Sequence, residues 1–368
     1  MKVIIEKANY ENLENILNRL NFKINPGEKI ILKPNWVGPG SSEDGITTDI
    51  NLVIALANII KKHKAIPIVA EAPGYDFNEK AYKVLKIKEK LKDIKFVYLR
   101  GAKTRKIKTK EKYLRNIEIP EVILDADKII NIPKLKTHVL SQLSIGMKNL
   151  VGIPPRKYRR EMHVYNLDNT IPELCNIIKP DLTIVDATTM MHGRGPVFGD
   201  VIKSNLIIAG TNVFAVDHAC CKLLGVNPKD VRHIKKAMQR NLVPKYEIEG
   251  KFTPMNIDMP IDDPYMFMVR IAYILDKIQS YITRKTFIGW LFQTWGVRIE
   301  IDKNLCDQCG LCVEACPIDA IDLKNKTIIK KKCKEIKCLR CYKICPKKAV
   351  YLKGYSLPKE ELEKKKNA

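Results

Sequence analysis

Cys306-Asp307-Gln308-Cys309-Gly310-Leu311-Cys312-Val313-Glu314-Ala315-Cys316-Pro317 decides the architecture of the C-terminal end of this chain. Three cysteines at two-residue gaps put three thiolates on one tight turn. A fourth, followed by proline, reaches across to a neighbouring site, the spacing that wraps a cubane iron–sulfur cluster. A second run follows with Cys333, Cys338, Cys341 and Cys345-Pro346. Exchange of the fourth cysteines assigns Cys306, Cys309, Cys312 and Cys345 to one [4Fe–4S] cluster, and Cys333, Cys338, Cys341 and Cys316 to the other. Glu335 stands where the second half's first cysteine is expected, and Cys333 lies just upstream of it. A [3Fe–4S] site or an iron ligated by Glu335 therefore stays open for that half.

Zinc sites favour paired Cys-x2-Cys units separated by a long spacer, which leaves the third close cysteine and the trailing Cys-Pro unexplained. A disulfide framework suits a short secreted chain, and no apolar cleavable segment precedes Met1-Lys2-Val3. An internal repeat supports the cluster reading. Residues 309–321 align with residues 338–350, each half reading as ligand loop, short helix and strand. From Val297 to Lys353 the chain resembles the bacterial-type dicluster ferredoxin.

The 368 residues leave about 300 outside that module, enough for one large domain with its own core. Lys and Arg number 65 against 41 Asp and Glu, a formal charge of +24. Eight thiolates around two cubane cores would bring the holo-protein to about +20. Aromatic residues make up only 7% and do not cluster beside basic runs, which disfavours nucleic acid as the partner. An acidic redox partner or a small anionic substrate fits better. The tract Lys330-Lys331-Lys332, with Lys334 and Lys337, surrounds Cys333 and reads either as a dock for an acidic electron carrier or as a solvated loop. No uninterrupted apolar window is long enough to span a membrane. The nearest, Pro264 to Trp295, repeats Met266, Ile271, Ile274, Ile278 and Ile282 at helical steps and reads as an amphipathic connector. The expected organisation is an α/β domain over 1–253, a helical connector over 254–296, the cluster domain over 297–354 and a charged tail over 355–368.

In the N-terminal part, short β-branched runs at 29–32, 66–70, 128–132, 182–185 and 206–209 alternate with helical patterns at 50–62 and 213–224. Strands separated by helices predict an α/β fold, a largely parallel sheet with flanking helices, followed by a small α+β ferredoxin-type dicluster domain. Polar residues come directly after the strands: Lys33 and Asn35, Glu71, Lys134, Lys136 and His138, and Asp186. In open α/β sheets the C-terminal strand edges share one rim where ligands bind, so these side chains are expected to converge. Each is also explicable as an ordinary loop residue or cap.

Further along, Gly146-Met147-Lys148-Asn149 and Gly152 combine close backbone approach with a cation and an amide, a setting suited to phosphate or carboxylate. His138 and His163 are candidates for proton transfer or a metal, against packed or exposed imidazoles. Gly193, Gly195 and Pro196 read as a ligand-facing loop. Asp217 opens a helix in which Cys220 and Cys221, like Cys175, read as small buried residues rather than ligands.

The words Ile31-Leu32-Lys33-Pro34-Asn35, Asn131-Ile132-Pro133-Lys134-Leu135-Lys136-Thr137-His138, Gly146 to Gly152, Gly193 to Pro196 and Ala215-Val216-Asp217 resemble the prokaryotic domain of unknown function 362. Members often carry a C-terminal dicluster ferredoxin module and are described only as iron–sulfur-cluster-binding proteins. The resemblance implies an α/β core with a polar site. It is also reminiscent of the lactate racemase fold, in which Lys and His line a site for a hydroxy-acid and a nickel cofactor, although fold likeness does not transfer chemistry.

The leading expectation is an oxidoreductase whose clusters pass electrons to or from the rim. There Lys136, His138 and Lys148 act as catalytic groups. Lys33, Asn35, Glu71, Lys134, Asn149, His163, Asp186, Gly193, Gly195 and Asp217 bind substrate, and an additional metal in the α/β domain is a further expectation. The competing expectation is a non-catalytic electron-carrier subunit, or a cluster or metal donor to a partner. Oxidation-sensitive clusters point to an anaerobic cytoplasm.

Overall fold

In the computed structural model, residues 1–38, 40–74, 82, 85–138, 140–193, 195–196, 199–260, 275, 298–333 and 340–353 are described. The chain divides into two compact units, Met1–Phe267 and Met268–Ala368. The expected amphipathic connector from Pro264 to Trp295 lies almost wholly outside the described residues, as do Cys338, Lys334, Lys337, Glu335, Arg194 and the charged tail.

The first unit is built on one large sheet. Its strands are β1 (Lys2–Lys7), β2 (Lys29–Pro34), β3 (Ile66–Glu71), β4 (Lys95–Tyr98), β7 (Lys128–Ile132), β8 (Lys134–His138), β9 (Gln142–Ser144), β10 (Leu182–His192), β11 (Asp200–Ile202), β12 (Leu206–Gly210) and β13 (Glu247–Glu249). A separate hairpin pairs β5 (Thr104–Lys108) with β6 (Asn116–Pro120). The main order is β13-β1-β12-β10-β7-β2-β3-β4, with β8, β9 and β11 joined to it through β10. From β10 to β4 every neighbour is parallel. Beyond β10 the sheet changes character, because β12 runs antiparallel to both β10 and β1. The sheet is thus mixed, and its parallel half carries the nucleus read from the sequence.

Side chains alternate between two cores, as the two-residue repeat of a strand requires. Val3, Ile5, Ile31, Ile68, Ile129, Val185 and Ile208 face one core, while Ile4, Ile30, Leu32, Val69, Ile130, Ile184 and Ile207 face the other. Both faces are covered, which is why β2 reads as an apolar run rather than an alternating one. Helix Ile50–Lys62 buries Leu52, Val53, Leu56 and Ile60 and starts where the Asp49 side chain accepts from the Asn51 N–H. Helix Val213–Leu224 covers the opposite core. Asn212 caps its start, and Gly225, with φ +71°, ends it in the left-handed region that glycine tolerates.

Two sequence expectations change here. The strand beginning at Leu182 does not end at Val185; it continues to His192, pairing first with β7 and β12 and then with β8 and β11. Asp186 is therefore inside a strand. The segment expected as a ligand-facing loop is flanked by a hairpin, with Met190, Met191 and His192 opposite Ile202, Val201 and Asp200, and Gly193, Gly195 and Pro196 lie between the two strands. It packs on β8: the Thr137 hydroxyl donates to the Gly193 carbonyl and accepts from the Gly195 N–H. A Cβ at Gly195 would sit 2.1 Å from the Thr137 carbonyl oxygen. Backbone packing against a neighbouring strand thus accounts for that glycine.

In the second unit β14 (Arg298–Ile301) pairs antiparallel with β17 (Val350–Lys353), and β15 (Ile321–Asp322) with β16 (Thr327–Ile328). Short helices Leu311–Glu314 and Arg340–Ile344 lie within the two cysteine runs and carry Cys312 and Cys341. The first and last strands of the repeat close on each other, giving the small α+β unit expected.

Candidate functional site

The second unit contains a cavity whose walls include Cys306, Cys309, Cys312 and Cys345 together with Leu323 and Val350. Gly310 turns the chain with φ +84° between Cys309 and the helix that carries Cys312, a conformation that spares a Cβ penalty only for glycine. Cys345 arrives from the other half of the repeat. Four thiols in an apolar-walled hollow are a donor set suited to a cubane. Burial, with Cys306 nearby, pushes the Cys312 thiol up, a cost that ligation to positive iron would remove. Cys309 is exposed and Cys306 half-buried, so this edge of the unit meets solvent.

Of the second ligand set, Cys316 and Cys333 are half-buried and Cys341 is buried. The Cys316 sulfur accepts from the Ala320 N–H at 3.2 Å. Among the described residues no three His, Cys, Asp or Glu side chains converge tightly enough to chelate a single metal ion. A cubane spreads its thiolates around four irons, so a wider arrangement is what a cluster requires.

In the first unit the polar residues that end the strands separate into distinct groups. Lys33, on β2, is 1% exposed and donates to both carboxylate oxygens of Glu71, at the end of β3, at 2.9 Å each. Burial pulls the Lys33 ammonium down while Glu71 opposes the shift. Lys134, wholly buried, donates to Asp186 at 2.9 Å, and Asp186 also accepts from the Asp49 and Thr188 N–H groups. These two lysines are internally neutralised.

Between them runs a chain of amides. Asn149 donates to Asn131 at 2.8 Å and to the Lys33 carbonyl at 3.1 Å, and Asn35 donates to Asn149 at 2.9 Å. The ladder holds helix Gly146–Asn149 over the ends of β2 and β7. Asp217 locks the other end of that helix, its oxygens accepting the Gly146 and Met147 N–H groups at 2.8 and 2.9 Å. Asp217, expected among the substrate-binding residues, has both carboxylate oxygens on these backbone amides. It caps backbone amides, and burial pushes its carboxyl up to about 7 against their pull.

Lys136 and Lys148 differ from the paired lysines. Lys136 is 2% exposed and donates to the Asn35 side-chain oxygen and the Ile46 carbonyl. Burial first, then Lys148 and Lys134, bring it down to about 7. Lys148 is half-buried, meets His163 Nε2 at 3.2 Å, and is pushed down to about 8 by burial and Arg159. The His163 Nδ1 lies 2.6 Å from the Arg159 carbonyl, which fixes the proton on Nδ1 and makes Nε2 the acceptor for Lys148. His138 Nδ1 accepts from the Leu140 N–H, so its Nε2 carries the proton. Burial and the surrounding cations push His138 well below its ordinary range and His163 down to about 3. The imidazoles sit among cations rather than carboxylates, a setting suited to an anion rather than a metal ion. Gly193 and Gly195 lie in the hairpin packed against Thr137, next to His138.

Sequence reasoning missed three contributors. Asn131 is the centre of the amide ladder, Arg159 donates to the Pro73 carbonyl and bears electrostatically on Lys148, and His233 is wholly buried beside the Ser141 backbone. Asn131 could have been read from its place inside an apolar strand. His233 carries no such signal, because its neighbours come together only through the tertiary fold.

Comparison with known proteins places these features. The domain of unknown function (DUF362) matches residues 30–222, and the 4Fe-4S binding domain matches residues 299–322. A thylakoid-associated protein of Synechocystis is 27% identical over 220 residues, covering 57% of this chain and 67% of that protein. A probable ferredoxin of Thermoplasma acidophilum is 53% identical over 32 residues, 9% of this chain and 44% of the ferredoxin. The lactate racemase apoprotein from Thermoanaerobacterium thermosaccharolyticum superposes with a TM-score of 0.40 at 13% identity, over 66% of this chain and 57% of that one.

Proposed function

This chain belongs to the family defined by the domain of unknown function DUF362, and on that premise we propose that it is an iron–sulfur electron carrier serving a partner protein, with a small anion held in its α/β domain. The observation that carries the reading is the cavity lined by Cys306, Cys309, Cys312 and Cys345. A likeness to a ferredoxin over the cluster unit supports it. Two [4Fe–4S] clusters on these thiolates and on Cys316, Cys333, Cys338 and Cys341 would supply single electrons at low potential. Cys309 at the surface shortens the path to a docked partner. The formal charge of +24 favours an acidic one, with Lys330 to Lys332 beside Cys333 as the contact. No helix among the described residues is long and apolar enough to cross a membrane. We place the protein in an anaerobic cytoplasm on the separate ground that exposed iron–sulfur clusters are open to oxidation.

The carrier role is preferred over turnover because most of the polar rim is occupied internally. Lys33 and Lys134 hold carboxylates, the asparagines hold each other, and Asp217 holds amides. Reduction of an anionic substrate at the rim is the second reading. It is favoured by Lys136, whose value of about 7 lies where a general acid works best at neutral pH. Anaerobic purification with iron and sulfide counting, followed by electron paramagnetic resonance of the reduced protein, tests the carrier role. About eight irons per chain and salt-sensitive electron transfer to an acidic ferredoxin are expected. Colourless, iron-free or zinc-loaded protein would overturn it. Substrate-dependent oxidation of the reduced clusters that is lost in Lys136→Met would favour the enzymatic reading instead.

A further inference from the structure

We propose that His233 completes, with His138, Lys136 and Lys148, a binding site for a small dianionic oxyanion in the α/β domain, an inference that rests on the anion-binding role proposed above. Charge is the first argument. Among the described residues Lys136 and Lys148 have no carboxylate at ion-pairing distance, whereas Lys33 and Lys134 each have one. Buried cations are retained where a counter-charge meets them. Arg159, buried beside them and bonded to the Pro73 carbonyl, adds a third cation with no carboxylate at ion-pairing distance among the described residues, so the excess positive charge favours a dianion over a monoanion.

Hydrogen bonding is the second argument. Lys136 spends two donors on Asn35 and Ile46, which leaves one, and Lys148 spends one on His163, which leaves two. His138 keeps its Nε2–H. His233 is 0% exposed, yet among the described residues neither ring nitrogen has a hydrogen-bond partner. The Ser141 backbone favours its charged form without reaching hydrogen-bond geometry. A buried polar group left in this state is unusual and marks a place for a ligand or ion. These groups share one neighbourhood. Lys136 and His138, two residues apart on β8, lie on one face of that strand. Leu140, whose N–H donates to His138, accepts through its carbonyl from Arg232, the residue before His233. The cations around His138 and the Lys148 charge near His233 lower both imidazoles. Several donors and, among the described residues, no carboxylate at ion-pairing distance suit a compact dianion, a phosphate or a short dicarboxylate.

Lys148, His138 and His163 are half-buried, whereas Lys136 and His233 are buried. The start of helix Arg232–Gln239, which carries His233, is tied to the turn after β8. Gln142 accepts from the Arg232 N–H at 2.8 Å, and Arg232 donates to the Leu140 carbonyl at 2.7 Å. His233 is thereby fixed relative to His138.

Isothermal titration of malonate, inorganic phosphate and acetate into the anaerobically purified full-length protein, at one ionic strength and pH 7, tests the proposal. One site per chain is expected, with at least one dianion bound tenfold or more tighter than acetate. Preference for malonate or for phosphate identifies the carboxylate or the phosphate source. Both His233→Gln and His233→Phe should weaken the preferred dianion about tenfold or more, with circular dichroism and cluster absorbance unchanged. Lys148→Met, at a half-buried position, should do the same even if a His233 variant fails to fold. Equal affinity for acetate and the dianions overturns the charge assignment. Unchanged dianion affinity in a folded His233 variant overturns the part given to His233. Absence of binding by any of the three anions overturns the anion role itself, leaving the cluster reading to be judged by its own iron count.

Discussion

Replacing Glu71 by Gln gives the most direct test of how the α/β domain holds charge. Glu71 and Lys33 are each 1% exposed. The Glu71 oxygens also accept the Ala72 and Trp36 N–H groups at 2.7 and 3.0 Å, so both are fully used. In Glu71→Gln whichever oxygen becomes an NH2 faces both Lys33 and a backbone amide, donor against donor, and the buried ammonium loses its counter-charge. Breaking a buried ion pair in this way costs about 3–5 kcal/mol. With a urea m-value of about 3 kcal/mol/M, the midpoint of unfolding should fall by about 1–1.7 M. The assay is urea denaturation followed by circular dichroism under anaerobic conditions.

The pH dependence supplies a second reading. Burial already lowers Lys33, and without Glu71 it is lowered further, so the unfolded chain binds more protons than the folded one. Stability of the variant must then rise with pH between the depressed folded value and the ordinary lysine value. Adding Lys33→Met to Glu71→Gln should recover at least half the loss, since the unpaired charge is gone. A loss under about 1 kcal/mol, or a deficit that does not shrink between pH 7 and 9, would refute the claim that this pair is desolvated and mutually dependent.

Cys312→Ser should lower the iron content from about eight to about four per chain and remove one set of reduced-cluster resonances, while thermal unfolding of the α/β unit stays within about 2 °C of the parent. Affinity for malonate, which is still doubly charged at neutral pH, should be strongest near pH 7 and fall as pH rises. A bound anion raises Lys136 and Lys148 from about 7 and about 8, and the benefit is lost as pH climbs through those raised values. Calorimetric titration at several pH values should show up to tenfold weakening per unit for each proton taken up. Gly146→Ala should destabilise the α/β unit by about 1–3 kcal/mol, because its Cβ would lie 2.7 Å from Asp217 Oδ1 and 2.8 Å from Val213 Cγ2. A midpoint unchanged from the parent would show that helix Gly146–Asn149 is free to shift. Electron transfer to an acidic ferredoxin should slow steeply between 50 and 300 mM salt if the lysine tract is the dock; a salt-independent rate would exclude it.

Local pattern carried much of the architecture. Helices Ile50–Lys62 and Val213–Leu224 end at the residues their periodicity, caps and Gly225 indicate. The parallel strands β2, β3 and β7 are dense β-branched runs because both their faces are buried. The short strand β1 and the antiparallel β12 placed between it and β10 were not legible as a sheet half, since pairing direction depends on which strands meet rather than on any one segment. Likewise the length of β10 could not be read from a run that turns polar after Val185. Its second half is held by β8 and β11, which come from distant parts of the chain.

The sequence by itself determined the cysteine spacing, the strand–helix alternation and the set of lysines, histidines and amides near the strand ends, because each depends on residues close together along the chain. Only the tertiary structure decided which of those cations are neutralised. Lys33 and Lys134 meet Glu71 and Asp186 across 38 and 52 residues of sequence, whereas Lys136 and Lys148 meet no carboxylate among the described residues. His233 joins them from a helix with no local signal at all. A charge's worth depends on its burial and on its counter-charge, and both are properties of the folded neighbourhood rather than of the residue.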